Sequence, residues 1–159
     1  MAPAVRVTRA VPLPSTAKRL SPTGIYPPEP AACDLFAALG TVFAVESENE
    51  FDAMCAVTAT IATYFAFTER IGSWLAQRGI PESKARDYIA RMFFASAVDA
   101  PERSFESLAG NNATAGGINE QFLRYLIEDG LLTSVSEALD AVLSRISAPS
   151  QSRDVGTAY

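Results

Sequence analysis

Between Asn49 and Gly79 the chain reads NEFDAMCAVTATIATYFAFTERIGSWLAQRG, and its centre, Ala53 to Phe67, holds no charged residue. A helix over this stretch is apolar on nearly every side and cannot lie on a surface with one face in water. At 1.5 Å rise per residue it is about 45 Å long, more than a domain of this size easily wraps. A second copy of the chain is the economical cover. Asn49 is the expected N-cap, with Glu50 and Asp52 in the first turn where acids meet the positive end of the helix dipole. Gly79 fits the left-handed closing position, with Arg78 before it and Pro81 after it. The uncharged centre is shorter than the ~20 residues that span a bilayer, so it reads as a buried core helix and not as a membrane span.

Around that helix the pattern changes period. The segment Ala2–Pro30 holds seven of the ten prolines and is unsuited to a helix or a central strand. The alternation from Val5 to Val11 still predicts a short strand, and Thr23–Tyr26 predicts another. Two such strands do not stand alone, so they rest on something else or belong to a larger sheet. Glu29–Gly40 reads as a short helix with Pro30 in its first turn, an apolar stripe of Leu35, Phe36 and Leu39, and Gly40 as its close. A short strand, Val42–Val45, follows.

Beyond the long helix, Pro81–Val98 predicts a second one with Tyr88, Ile89, Met92, Phe93 and Ala97 on one face. Asp99–Gly117 is irregular, with room for a helical turn or two at Glu102–Ala109, and ends in a loop of small residues at Gly110–Gly117. Asn119–Asp129 predicts a helix closed by Gly130. Leu131–Ile146 predicts a last one with Val135, Leu139, Val142, Leu143 and Ile146 inward. The polar, proline-containing end predicts a disordered tail. The fold class is therefore mainly α with a short extended N-terminal part, divided as 1–45, 46–147 and a tail at 148–159.

Composition narrows the chemistry. The 159 residues are 48% hydrophobic and 19% charged, an ordinary globular balance. A net charge of -5 with no long basic run argues against nucleic acid as a partner. Histidine is absent, which rules out Ser-His-Asp and Cys-His catalysis, imidazole metal ligation and a histidine base. Cys33 and Cys55 lack metal-ligand spacing and read as reduced core residues of a cytoplasmic protein. MAPAVRVTRAVPLP lacks the apolar core of a signal peptide. No G-x-G-x-x-G follows a strand and no Walker loop is present, so a nucleotide site of the usual kind is not expected.

The order long helix, helix, Gly-Gly loop, helix, helix, with the loop written Ala113-Thr114-Ala115-Gly116-Gly117-Ile118-Asn119-Glu120-Gln121, resembles the C-terminal dimerisation domain of the pyrroline-5-carboxylate reductase family. That family carries a Ser/Thr-Pro-Gly-Gly-x-Thr loop here, and the spacing to Glu128-Asp129-Gly130-Leu131 agrees. Arg9-Ala10-Val11-Pro12 stands where the family's Arg-x-Met-Pro segment ends its nucleotide domain, so residues 1–45 look like a remnant of that domain. The resemblance implies a helical domain of the 6-phosphogluconate-dehydrogenase C-terminal type, a homodimer interlocked through the long helix, and hydride transfer from NADPH or NADH to a cyclic imine. It also implies a small imino-acid ligand at the loop, with Thr114, Gly116, Gly117 and Asn119 as substrate-binding residues whose backbone N–H groups hold a carboxylate.

Departures from the family pattern accompany these matches. Ala115 replaces the loop proline, Asn119 stands in place of a threonine, and Thr58-Ala59-Thr60-Ile61-Ala62-Thr63 replaces a Ser-Gly-Ser-Gly-Pro-Ala segment. No cofactor is expected on this chain alone, and no catalytic residue is assigned. Each motif also has a plainer reading. A Gly-Gly loop is commonly a tight turn. Thr58, Thr60 and Thr63 read as small residues with hydroxyls bonded to the helix's own carbonyls. Phe65, Phe67, Trp74, Phe93 and Phe94 read as core or dimer packing, and Glu120 as a favourable charge at a helix start. Besides the reductase domain, a stand-alone helical homodimer without catalysis stays open.

Overall fold

Three strands open the chain in the computed structural model, which describes residues 6–148. They are β1 (Arg9–Val11), β2 (Ser21–Tyr26) and β3 (Gly40–Ala44), in the sheet order β1-β2-β3. β1 runs antiparallel to β2 and β3 parallel to it, pairing Arg9 with Tyr26 and Ser21 with Gly40. The parallel pair needs a crossover, which α1 (Pro30–Ala37) supplies with Pro30 in its first turn. The strand expected from Val5 begins at Arg9, and Val5 itself lies outside the described residues. The tail expected at 148–159 lies outside them beyond Ala148.

Gly40 has a different role from the one its position suggested. The helix ends at Ala37 with Ala38 as its C-cap, and Gly40 instead opens β3 with φ +148°. A Cβ there would lie 2.2 Å from the Ser21 carbonyl oxygen and 2.6 Å from its nitrogen. Only glycine lets the two strands approach this closely. Beneath them Ser21, Thr23 and Ile25 are fully buried. The Ser21 hydroxyl accepts the Leu13 N–H at 2.8 Å and shares a hydrogen bond with Thr23 at 3.2 Å, so no polar cost remains.

The expected unbroken helix Asn49–Gly79 is two helices, α2 (Glu48–Thr58) and α3 (Thr60–Ala76). α2 packs on β2 and buries Phe51, Asp52 and Ala56. Its N-cap is Ser47, not Asn49: the Ser47 hydroxyl accepts the Glu50 N–H at 3.3 Å, and the Glu50 carboxylate accepts the Glu46 N–H at 2.8 Å. This is close to a Ser-x-x-Glu capping box, with the return bond shifted by one residue. The break falls at Ala59, whose N–H reaches back to Ala56 and Val57. On either side, Thr58 donates to the Cys55 carbonyl at 2.7 Å and Thr60 to the Val57 carbonyl at 2.8 Å. Hydroxyls that occupy carbonyls of the preceding turn weaken and bend the helical ladder.

The chain forms two compact units, one from the residues up to Thr60 with those from Ala138 on, the other from Ile61 to Glu137. The second unit holds most of α3, then α4 (Glu82–Ala97), a 3-10 turn (Ala100–Glu102), α5 (Phe105–Asn112), α6 (Ile118–Glu128) and the start of α7 (Leu131–Ser147). Gly79 and Gly130 close helices with φ of +85° and +84°, as their positions required. The loop expected over Gly110–Gly117 is shorter: Gly110, Asn111 and Asn112 belong to α5, which the Ser104 hydroxyl caps. Gly110 is therefore helical despite its high cost in a helix.

Burial departs furthest from expectation. The buried apolar residues among those described are Ile25, Phe51, Ala56, Ala85 and Ile89, and α3, α6 and α7 bury none fully. The buried core helix foreseen at Ala53–Phe67 is thus uncovered over its second part. Phe65 is 62% exposed, Trp74 51% and Phe94 77%. In α4, Ile89 is buried while Tyr88 and Met92 are exposed; half-buried Phe93 meets Tyr64 and Phe67 edge-on at 5.8 and 6.3 Å. In α7, Leu139, Val142, Leu143 and Ile146 are half-buried, and Val135 is exposed. Large apolar side chains therefore stay exposed along α3 and α4. Glu48–Ala76 taken together is long and apolar enough to cross a membrane by length and composition alone, a test that the core helix of a soluble protein passes as well.

Candidate functional site

The loop Ala113–Gly117 joins α5 to α6 and holds Thr114, Gly116 and Gly117 of the residues expected to bind a ligand, while Asn119 stands in the first turn of α6. Gly116 takes φ +74°, a conformation that disfavours any side chain. Gly117 is the N-cap of α6 and has ordinary extended geometry. Its constraint is steric instead: a Cβ would sit 2.7 Å from the Thr114 hydroxyl and 2.9 Å from the Thr114 carbonyl oxygen. The two glycines are therefore required for separate reasons, one torsional and one of space. Thr114 and Gly116 are exposed, and Gly117 is half-buried.

Three donors of this loop and of the start of α6 are engaged within the chain. Gly117 N–H donates to the Thr114 carbonyl at 2.8 Å, closing a tight turn. Gly116 N–H donates to the Glu120 carboxylate at 2.6 Å. The Asn119 side-chain amide donates to the Asn112 carbonyl at 3.0 Å and ties the start of α6 to the end of α5. Thr114, Gly116, Gly117 and Asn119 thus stand together, and Glu120 joins them as a residue whose contact with the loop went unforeseen. Its signal was the charge at the third position of a helix, where a long carboxylate reaches back over the first turn.

A second cluster, in the first unit, escaped the sequence reading altogether. Arg9 on β1 donates to Glu48 at 2.6 Å and to Asp52 at 2.9 Å, and its guanidinium lies 4.5 Å from the centre of the Phe51 ring. Burial works against the Arg9 charge, but hydrogen bonds and charges from Asp52 and Glu48 outweigh it and raise its pKa. Cys55, one turn beyond Asp52, has its thiol pushed up by burial; nearby Arg9 opposes this and Asp52 adds to it. The cluster joins sheet to helix, with Asp52 buried and Arg9 and Glu48 reaching the surface. Among the described residues no group of three or more His, Cys, Asp or Glu is placed to hold a metal ion.

The second unit also has a groove of about 580 Å³ between α3 and α4, walled by Tyr64, Phe65, Gly72, Glu82, Arg86 and Ile89. Gly72 lets the helices close: a Cβ there would touch the Ile89 side chain at 3.7 Å. None of Thr114, Gly116, Gly117 and Asn119 lines this groove. Its wall mixes apolar side chains with Glu69, Ser73, Glu82 and Arg86.

The family model described as pyrroline-5-carboxylate reductase dimerisation matches residues 48–148. No curated protein matches the sequence. Among solved structures, a pyrroline-5-carboxylate reductase from Coxiella burnetii superposes with a TM-score of 0.76 at 24% identity, over 91% of this chain and 57% of that one. The 1-pyrroline-5-carboxylate reductase of Streptococcus pyogenes gives 0.77 at 23% identity, over 89% and 58%. The pyrroline carboxylate reductase of Plasmodium falciparum, solved with NADP bound, gives 0.77 at 15% identity, over 89% and 59%. The chain spans less than two thirds of the length of each, and at these identities they show a shared fold.

Proposed function

We propose, because this chain belongs to the pyrroline-5-carboxylate reductase dimerisation family, that it forms the dimer and the substrate side of an NAD(P)-dependent reductase acting on a cyclic imine. The observation that carries the reading is a coincidence of two ranges. The family match covers 48–148, and the same span holds the helices whose large apolar side chains stay uncovered. A second copy laid along α3 and α4 removes Phe65, Trp74 and Phe94 from water, each worth roughly 1.5–3 kcal/mol when fully buried. The dimer is soluble and cytoplasmic in this reading, and the loop at Thr114, Gly116, Gly117 and Asn119 faces the imine.

Hydride transfer needs donor and acceptor about 3 to 3.5 Å apart, held by a nucleotide-binding body. The three-stranded sheet of the described residues carries no glycine-rich phosphate loop, so the chain alone turns over no NADPH. The test joins this chain to the nucleotide-binding domain of the Streptococcus pyogenes relative and follows NADPH oxidation with a cyclic imine. Turnover that Gly116→Val abolishes, at unchanged dimer mass, supports the reading. A monomeric mass for the unaltered chain at micromolar concentration sinks it.

A second reading has one observation in its favour. Gly116 and Gly117 spend their N–H groups on Glu120 and Thr114, which suits a helical homodimer that has given up chemistry. On that reading the joined protein stays inactive, and Gly116→Val alters only folding.

A further inference from the structure

Two surfaces of the second unit stay open in the single chain. The first is the groove of about 580 Å³ between α3 and α4. Phe67 meets Phe93 and Gly72 faces Ile89, so α4 runs back along α3, and the groove extends from Tyr64 to Ala76, about 18 Å at 1.5 Å per residue. Near its middle Gly72 leaves a gap in the wall. The second surface is a ridge on α6. Ile118, Phe122 and Tyr125, spaced four and three residues apart on one helical face, are exposed, while Leu123 and Leu126 on the other side are half-buried.

Building on the dimer of the proposed function, we propose that the groove is the seat of α6 from a second copy, and that the exchange is reciprocal. Both surfaces lie within the residues matched by the dimerisation family model. A two-fold dimer needs a patch and its counterpart on one chain, so each copy gives and receives one ridge. Length agrees: α6 has 11 residues and is ~16 Å long. Charge sets the direction. Laid alongside α3 in the same sense, with Tyr125 at Gly72, α6 brings Ile118 to the level of Phe65 and Glu128 to that of Arg86, three residues before Ile89, with Arg124 within a turn of Glu69. In the opposite sense Glu128 would meet Glu69 at like charge. Among the described residues Arg86, Arg124 and Glu128 form no ion pair in the single chain, which leaves them for a partner. Two such contacts, with Phe122, Tyr125, Tyr64 and Phe65 from each copy, bury on the order of 1,000 Å², enough for a specific interface.

The experiment uses two variants of the full chain in a Cys33→Ser, Cys55→Ser background: Thr68→Cys on the groove wall and Gln121→Cys beside Phe122, which this register places side by side. A short bis-maleimide is added to each variant alone and to the two refolded together. Unchanged helical circular dichroism shows that they fold, and light scattering reads the mass. A cross-linked product near twice 17.0 kDa is expected in the mixture and not with either variant alone. Equal product from Gln121→Cys alone means that α6 meets α6, which overturns the seat and leaves the dimer standing. A dimeric mass with no product in any sample does the same. A monomeric mass throughout overturns the seat and the proposed dimer together.

Discussion

Arg9 on the first strand and Asp52 on α2 form a 2.9 Å ion pair in which the acid is almost wholly buried and the guanidinium less so. The same guanidinium meets Glu48 at 2.6 Å, but there the carboxylate side chain is 63% exposed. Burial, more than distance, decides what each pair is worth. Asp52→Asn leaves a buried amide facing a cation and is expected to cost about 1.5–3 kcal/mol. Glu48→Gln is expected to cost under about 1 kcal/mol, since water and salt screen an exposed pair. Urea unfolding at one fixed protein concentration compares the two, and equal losses would show that the Phe51 ring, not Asp52, holds Arg9 in place.

Gly40→Ala is expected to be among the most damaging single-methyl changes in the first unit. The methyl would lie 2.2 Å from the Ser21 carbonyl oxygen, and its residue would need φ +148°. Strain of this kind costs of order 1–3 kcal/mol before the clash is counted. The strand ladder between Ser21 and Gly40 has to open to relieve it. Amide exchange reads this directly: protection should fall at Val42 and Ala44 while α4 stays protected.

Much of this architecture was legible because local rules and tertiary packing agree. Gly79 and Gly130 close helices for a torsional reason that the residue type announces. Pro30 and the Gly-Gly loop were equally plain. Other features were hidden. The break at Ala59 was one, although the Thr58 and Thr60 hydroxyls do bond the helix's own carbonyls as expected, because such bonds are found in unbroken helices as well. Gly40 beside Ser21 and Arg9 beside Asp52 pair residues 19 and 43 apart in sequence, beyond any periodic pattern. Thr114, Gly116, Gly117 and Asn119 lie within six residues of sequence, so their nearness was plain without the fold. That Glu120 closes the loop was not, because a carboxylate at a helix start serves the dipole whether or not it reaches a neighbouring amide.

Cys55 offers a pH-dependent handle. Burial raises its thiol above the ordinary 9.0, so the folded state holds the proton more tightly than the unfolded one. The resulting stability is fully present below pH 9.0 and is lost as pH rises through the folded value. In a Cys33→Ser background Cys55 should react with a disulfide reagent at pH 8 more slowly than free glutathione does, since the thiolate is the nucleophile. Cys55→Ser should flatten the alkaline loss of stability. Reaction as fast as glutathione's would mean that Arg9 prevails over burial at this thiol.

The exposed faces of α3 and α4 make the sharpest prediction about assembly. Phe65 walls the groove between these helices and is 62% exposed, and Phe94 is 77% exposed. Replacing either by aspartate removes little from the single chain, where Phe65 keeps an edge-on contact with Tyr64 at 5.2 Å, so its own folding should change by less than about 1 kcal/mol. In a dimer the same change places a carboxylate in an apolar interface, where an unpaired charge costs several kcal/mol. Phe65→Asp and Phe94→Asp are therefore expected to shift light-scattering mass from twice 17.0 kDa towards 17.0 kDa at micromolar concentration with helical circular dichroism retained. Glu69→Gln is the contrasting change: Glu69 also walls the groove, but its carboxylate already bonds the Ser73 hydroxyl at 3.0 Å and stays near water. It should leave the dimer intact. If all three variants remain dimeric, the copies meet on α6 and α7 instead, whose exposed Phe122, Tyr125 and Leu132 would then be the next positions to charge.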